Sequence, residues 1–308
     1  MIFMKIICLN PVDQSVYATM NKEKKVILLK LNLLVISLFL CCSLCGCQNE
    51  AVPFSSDPET LLTVHFIDVG QADAMLITSG DHAMMIDTGN DEDAELILDY
   101  LKDQGISHLD YLIGTHAHED HIGSLDDVLL HLDVDLVMMP EMGIRDSYYD
   151  DVMEAVEQTR TPLIHPEPAQ KYSLGKDTFT IVAPVRKDYR EINNSSIVLR
   201  YVHGQTSILF TGDMEIPSEQ DVLDSHALIR SDILKAAHHG CDTSSSTSFL
   251  DAVQAEDVVI SVGRQNPHAL PDPFILRRFE DHGMKIHRTD LSGTLILESD
   301  GHSYRFNK

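Results

Sequence analysis

The chain has 308 residues, with 23 Lys plus Arg against 48 Asp plus Glu, a formal net charge of −25. Hydrophobic residues make up 44% and charged residues 23%, ordinary globular usage that excludes general disorder and a polytopic membrane protein. So acidic a chain argues against a broad phosphate-binding surface of the duplex-DNA type, although a bound cation can still create a local site for an anion.

Lys22, Lys24, Lys25 and Lys30 form a basic stretch, and Leu31 to Leu44 is uncharged and nearly all apolar. That run is short for a transmembrane helix and the right length for a signal-peptide core. It ends in Leu44-Cys45-Gly46-Cys47, which resembles a bacterial lipobox. We therefore expect a signal peptide over 1–46, with Met20 as an alternative start, and a lipidated Cys47 opening a polar tether over 47–60. Acyl chains on Cys47 would partition into a bilayer, making this an extracytoplasmic, membrane-anchored lipoprotein. An uncleaved signal anchor is the other reading. Five Lys and two acidic residues fall within 1–46, so the remainder carries −28 and keeps all 16 His. Five of the six Cys lie in the first 47 residues, so no disulfide framework spans the body.

The body, 61–308, alternates strands and helices. Leu62 to Asp68, Ala74 to Thr78 and Ala83 to Asp87 read as a strand meander. Asp91 caps a helix through Leu96, Ile97 and Leu101, which Gly105 ends. Leu109 to Gly114 is a strand, Ser124 to Leu132 a helix, Leu136 to Met139 a strand and Asp146 to Gln158 a helix. Strands follow at Phe179 to Ala183, Ile197 to Val202, Ser207 to Phe210, Ile233 to Ala237, Val258 to Val262, Lys285 to His287 and Thr294 to Leu297. Pro273 to Asp281 is helical, and Ser244-Ser245-Ser246 supplies a helix cap. Strands mixed with helices in both halves predict an α/β fold of two facing sheets with helices outside. Polar clusters fall just after strand ends, where such folds place their sites.

The chemistry concentrates in Thr115-His116-Ala117-His118-Glu119-Asp120-His121, three imidazoles and two carboxylates after an apolar strand. His116 and His118 can share one divalent ion, and Asp120 and His121 can face a second. These donors suit Zn²⁺, with Mn²⁺ or Fe as alternatives. His165, His226, His282, His287 and His302 read as ordinary surface or packing residues, and Cys241 as a plain thiol.

H-x-H-x-D-H resembles the signature of the metallo-β-lactamase superfamily. Ile86-Asp87-Thr88-Gly89, Thr211-Gly212-Asp213 and His238-His239-Gly240 are similar to its other motifs, in order, from about Leu62 to Tyr304. The resemblance implies a four-layer αββα sandwich of two mixed sheets. It also implies two divalent metals on His116, His118, Asp120, His121, Asp213 and His238, with Asp87 behind them. His65 to Gln71, Asn194 to Leu199 and Ser261-Val262-Gly263 further resemble the C-terminal hydrolase domain of the ComEC-type DNA-uptake protein and its stand-alone relatives. This group implies Asp68 as an outer partner of the site, although Asp68 and Gln71 can equally close a turn. It also implies Asn194 near substrate; for Ser244, contact with a substrate phosphate is the alternative to the helix-cap reading. The group's Asn-x-Tyr-Gly-His-Pro reads Asn266-Pro267-His268-Ala269-Leu270-Pro271 here, so either His268 takes over the usual His role or a substrate contact is lost. The superfamily's third His at the first metal is replaced by Asn193-Asn194, and His203 reads as an ordinary residue.

The implied activity is attack by metal-activated water on a phosphodiester. Asp120 takes part in catalysis, and His239 or His268 protonates the leaving group. A nuclease of the ComEC type, a cell-envelope phosphodiesterase, a β-lactam-type hydrolase and a non-catalytic metal-binding lipoprotein are the competing functions. A phosphodiester or nucleic acid and the membrane are the implied partners; no protein partner is inferred.

Overall fold

The computed structural model describes residues 22, 54, 55, 57, 60–141 and 147–307, and the fold is that of the unit Pro53–Lys308. The expected signal peptide, Cys47 and most of the tether lie outside the described residues. Among the described residues no helix is long and apolar enough to cross a membrane.

The first half runs β1 (Leu62–Phe66), β2 (Ala74–Ser79), β3 (His82–Thr88), α1 (Ala94–Asp103), β4 (His108–Leu109), β5 (Tyr111–Ile113), α2 (Glu119–Ile122), α3 (Leu125–His131), β6 (Asp133–Val134), β7 (Val137–Met138), α4 (Ser147–Thr159) and β8 (Leu163–Ile164). The second half runs β9 (Lys171–Leu174), β10 (Asp177–Ala183), β11 (Val198–His203), β12 (Thr206–Phe210), α5 (Ile216–Asp224), β13 (Ile233–Lys235), α6 (Thr247–Val253), β14 (Asp257–Ile260), α7 (Pro273–Asp281), β15 (Lys285–Arg288), α8 (Thr289–Ser292), β16 (Leu295–Ser299) and β17 (Tyr304–Asn307). One sheet has the order β17-β16-β1-β2-β3-β5-β7-β8 and the other β15-β14-β13-β12-β11-β10-β9. Both mix parallel and antiparallel pairs.

Strand alternation explains the layering. Leu62, Val64 and Phe66 of β1 point between the sheets and meet Phe179, Leu199, Tyr201 and Phe210 of the second sheet. Phe66 and Phe210 stack across that gap with ring centroids 6.3 Å apart. The opposite face of the first sheet, through Leu76, Met85 and Leu112, packs on Ile97, Leu101, Val128 and Val152 of α1, α3 and α4. Leu209, Leu234 and Val258 do the same for Val222, Phe249, Ile275 and Phe279 of α5, α6 and α7. The result is the expected αββα sandwich.

Local chemistry sets the departures. The single strand expected over Leu109 to Gly114 breaks at Asp110, whose carboxylate accepts from Ala83 N at 3.0 Å and pairs with His82 at 2.7 Å. Leu109 therefore joins a separate two-stranded ribbon of β4 and β6. α7 begins at Pro273 as expected, with Asp272 accepting from Phe274 N at 2.7 Å. Ser246 caps α6 by accepting from Phe249 N at 3.3 Å.

Away from the strand ends that carry the motifs, Asp177 of β10 is buried and accepts from Tyr201 Oη at 2.9 Å and from His203 Nδ1 at 2.8 Å. His203 is thereby an ordinary packing residue. Burial raises the Asp177 carboxyl, but hydrogen bonds from His203, Ser79 and Tyr201 outweigh it and hold the group below its usual value. A depressed folded-state value means stabilisation that is present at neutral pH and lost as pH falls through that value. Asp177→Ala should cost roughly 2–4 kcal/mol at pH 7, since two buried donors lose their acceptor. Urea unfolding should show the gap from wild type narrowing below about pH 4; a gap independent of pH would reject this account.

Candidate metal centre

The strands that carry the motifs end on one side of the sandwich. β3 and β5 are parallel neighbours, and so are β12 and β13, so Asp87, the Thr115–His121 loop, Asp213 and the His238-His239 turn emerge together. Asp87 adopts φ 57, an uncommon conformation for a non-glycine residue. There its carboxylate accepts from Thr115 N at 2.7 Å, Thr115 Oγ1 at 2.8 Å and His121 Nδ1 at 2.8 Å. The carboxylate only accepts, so His121 keeps a proton on Nδ1, and Nε2 is the ring nitrogen turned inward toward Asp213.

The same logic orients the other rings. Thr115 Oγ1 spends its hydrogen on Asp87 and accepts from His116 Nδ1 at 3.1 Å, which turns His116 Nε2 toward His118. His239 Nδ1 donates to Ser261 O at 3.0 Å, which leaves its Nε2 3.2 Å from Asp120 Oδ2. One donor atom each from Asp120, His121, Asp213 and His239 falls within 4.8 Å of the others. His121 Nε2 and Asp213 Oδ1 are buried, have no hydrogen-bond partner among the described residues, and lie 3.2 Å apart. Opposed orphan donors of this kind fit a shared cation. His116 Nε2 and His118 Nδ1 face each other at 3.0 Å, close to the ~3.3 Å between two nitrogens on one tetrahedral zinc. Asp213 Oδ2 lies 4.0 Å from His116 Nε2 while Asp213 Oδ1 faces His121, so Asp213 stands between the two positions.

The electrostatics agree. Burial disfavours charge on His121, but Asp213, Asp87 and Asp120 outweigh it and hold the imidazolium far above its ordinary range. Burial likewise raises the Asp213 carboxyl, and His121 and His239 overcome it and hold the group well below the usual range. The cluster is built for positive charge at its centre.

The structure places a donor atom of His239, where the sequence reading expected one of His238, beside those of Asp120, His121 and Asp213. β13 ends at Lys235, earlier than the Ala237 expected, and both histidines then adopt left-handed backbone, φ 51 and φ 52. This reversal sends His239 inward among the ligands, fully buried. His238 remains 24% exposed, with Nδ1 3.0 Å from Thr243 Oγ1 and Nε2 3.8 Å from Asp213 Oδ2. Gly240 makes the turn possible, since at φ +81 a Cβ would lie 2.7 Å from Pro271 Cβ.

Other expected contacts resolve into structural roles. Asn194 is buried and does not face the ligands: it donates to Glu215 at 3.0 Å and accepts from Ser218 N at 3.1 Å, fixing the start of α5. Ser244 Oγ donates to Met214 O at 2.9 Å and is buried, which leaves no hydroxyl for substrate. Asp68 closes its own turn, accepting from Gly70 N at 3.3 Å. His268 is exposed, while Leu270 packs on the α5–α7 core. Asn266 binds Gly263 O and Leu270 O and accepts from His268 N and Leu270 N, which pins the loop with the His268 ring outside. His268→Ala should therefore change turnover by no more than about twofold, even on a poor leaving group, against the ~10²–10⁴-fold expected for a lost general acid. A larger loss confined to the poor leaving group would restore His268 to the chemistry.

Sequence reasoning missed Thr115, Ser196, Asp73 and Lys235. Ser196 Oγ sits 3.4 Å from His116 Nδ1 and accepts from Asp213 N at 3.1 Å. Asp73 N donates to Asp120 O at 2.9 Å, tying the residue before β2 to the ligand loop. The signal for Lys235 was a lone charge inside Ile233-Leu234-Lys235-Ala236-Ala237.

Two facing mixed sheets flanked by helices define an αββα protein, and the paired imidazole and carboxylate donors at one set of strand ends point to a dinuclear divalent-metal site. The family model described as Metallo-beta-lactamase superfamily matches residues 67–264, and the chain belongs to that superfamily of hydrolases. It is 28% identical over 250 residues to ComE operon protein 3 of Bacillus subtilis (strain 168), covering 75% of this chain and 32% of that protein. It is 30% identical over 253 residues to Competence protein ComA of Neisseria gonorrhoeae, covering 80% and 33%. The chain thus spans about a third of the length of these curated relatives. Among solved structures, the metallo-β-lactamase fold protein YhfI from Bacillus subtilis aligns with TM-score 0.52 at 15% identity, over 77% of this chain and 100% of that one. CmlA, a diiron β-hydroxylase from Streptomyces venezuelae, aligns with TM-score 0.52 at 13% identity, over 82% and 55%. Likeness at these identities concerns the fold.

Proposed function

We propose that the protein is a metal-dependent phosphodiesterase, acting on nucleic acid or a related phosphodiester, with Zn²⁺ as the metal favoured by its donors and Mn²⁺ or Fe as the alternatives. The observation that carries this reading is the convergence of His116, His118, Asp120, His121, Asp213 and His239 beside a partly exposed His238. Two divalent ions held there would supply an activated water and neutralise charge on the group under attack. Asp87 and Ser261 O fix the tautomers of His121 and His239. His238 Nε2, on the solvent side of Asp213, is the atom placed to give a proton to the leaving oxygen. The competence names of two relatives support a nucleic-acid substrate, and the net charge of −28 outside the expected signal segment favours short or single-stranded material over long duplex.

The test is elemental analysis of the purified full chain together with turnover of a nitrophenyl phosphodiester, a short single-stranded oligonucleotide and a β-lactam. Up to two transition-metal ions per chain and chelator-sensitive phosphodiester cleavage are expected. Cleavage of the β-lactam alone, or bound metal without turnover of any probe, would reject the reading.

We further propose that Cys47 is lipidated and holds the domain at an extracytoplasmic membrane face. The basis is Leu44-Cys45-Gly46-Cys47 after an apolar run. Intact-mass analysis should find acyl mass on Cys47, and Cys47→Ser should leave the precursor uncut at this position. Wild-type protein lacking acyl mass would refute the anchor.

A further inference from the structure

Lys235, the last residue of β13, is fully buried, and its Nζ lies 2.8 Å from Asp73 Oδ2, which is fully buried as well. The ammonium also donates to Ala236 O at 2.9 Å. Burying such a pair costs several kcal/mol per ion in desolvation, and apolar residues of similar volume generally serve packing as well. Packing alone is therefore a poor account of it.

The surroundings offer a better one. Asp73 Oδ1 lies 3.7 Å from His239 Nδ1, and Asp73, Asp87 and His121 form a buried group within 4.8 Å. Among the described residues the centre thus holds four carboxylates, Asp73, Asp87, Asp120 and Asp213, and one lysine, Lys235; Glu215 stands further out, on Asn194 and beside His238. With both metal positions filled, these charges leave a net positive centre. Without Lys235 they leave a neutral one. The rest of the chain is strongly acidic, so attraction for an anion has to be generated locally.

We propose that Lys235 is a fixed counter-charge to Asp73 that keeps the metal-loaded centre net positive and so selects an anionic, phosphate-bearing substrate. The proposal rests on the metallohydrolase reading above. It makes predictions of opposite sign for two buried neighbours. Lys235→Met should hold Mn²⁺ at least as tightly as wild type, while inorganic phosphate binds the Mn²⁺-loaded protein about tenfold more weakly. Asp73→Asn should bind Mn²⁺ more weakly and, once loaded, bind phosphate more tightly. The double variant Asp73→Asn/Lys235→Met restores the charge balance and should return near wild type in both.

The experiment is calorimetric titration of the full chain with Mn²⁺, then of the loaded protein with inorganic phosphate, with thermal unfolding as a check on folding. If the pair only packs, every variant weakens both ligands and the double variant recovers neither; that result overturns the proposal, as does phosphate affinity unchanged in Lys235→Met. If that variant does not fold, Asp73→Asn decides alone, and unchanged or weaker phosphate binding overturns the idea. Wild-type protein that takes up no divalent ion would remove the metallohydrolase reading and this inference together, whereas a failure seen only in the variants removes this inference alone.

Discussion

Asp213→Ala should abolish hydrolysis and reduce bound metal below two ions per chain. Among the described residues Asp213 is the carboxylate that faces both positions, with Oδ1 3.2 Å from His121 Nε2 and Oδ2 4.0 Å from His116 Nε2 and 3.8 Å from His239 Nε2. Its loss removes a donor from each position and leaves His121 Nε2 without a counter-charge. The fall in turnover should exceed the roughly 10–100-fold that follows loss of an outer hydrogen-bond partner. Asp213→Asn makes the test stricter, since it keeps the side-chain volume and the bond from Asp213 N to Ser196 while removing the charge. Elemental analysis and turnover on the nitrophenyl phosphodiester should fall together in both variants, with thermal unfolding reporting a folded chain. Either variant retaining wild-type metal content and rate would show that Asp213 does not bridge the site.

The αββα layering was legible in the sequence because β1 alternates, with Leu62, Val64 and Phe66 on one face, because β12, β13 and β14 are short apolar runs buried on both faces, and because Pro273 and Asp272 mark a helix start. The ligand loop was legible because His116, His118, Asp120 and His121 are close in sequence. What was not legible depended on contacts over long separations. Asn194 sits in the motif order expected of a substrate residue, yet its amide is consumed by Glu215 and Ser218 N, 21 and 24 residues away. Asp68 and Asp73 belong to one turn, and only the fold shows that Asp73, not Asp68, reaches the ligands. Lys235 was visible as a charge in an apolar strand, but its partner Asp73 lies 162 residues away, in the loop just before β2 of the other sheet. The order of two adjacent histidines turned on backbone dihedrals, which composition does not encode.

His239→Ala and His238→Ala should separate into two phenotypes, and the separation tests the geometry of the His238-His239 turn. His239 is buried, held by Ser261 O through Nδ1, and presents Nε2 to Asp120 and Asp213 at 3.2 and 3.8 Å. Removing it deprives the second metal position of one of the two imidazoles that the described residues place there, so metal content and turnover should fall together on every substrate. His238 is partly exposed, held by Thr243, and approaches only Asp213 Oδ2 among the ligands, at 3.8 Å. Its removal should leave two metals in place and slow the reaction in proportion to how poor the leaving group is. A roughly 10²-fold loss on an alkyl phosphodiester and little loss on a nitrophenyl one is the expected signature of a missing proton donor. Thr243→Val should reproduce a weaker form of the same pattern, because it frees the ring that His238 must aim without touching any ligand. If His238→Ala instead strips metal while His239→Ala keeps it, His238 is the ligand and His239 is not.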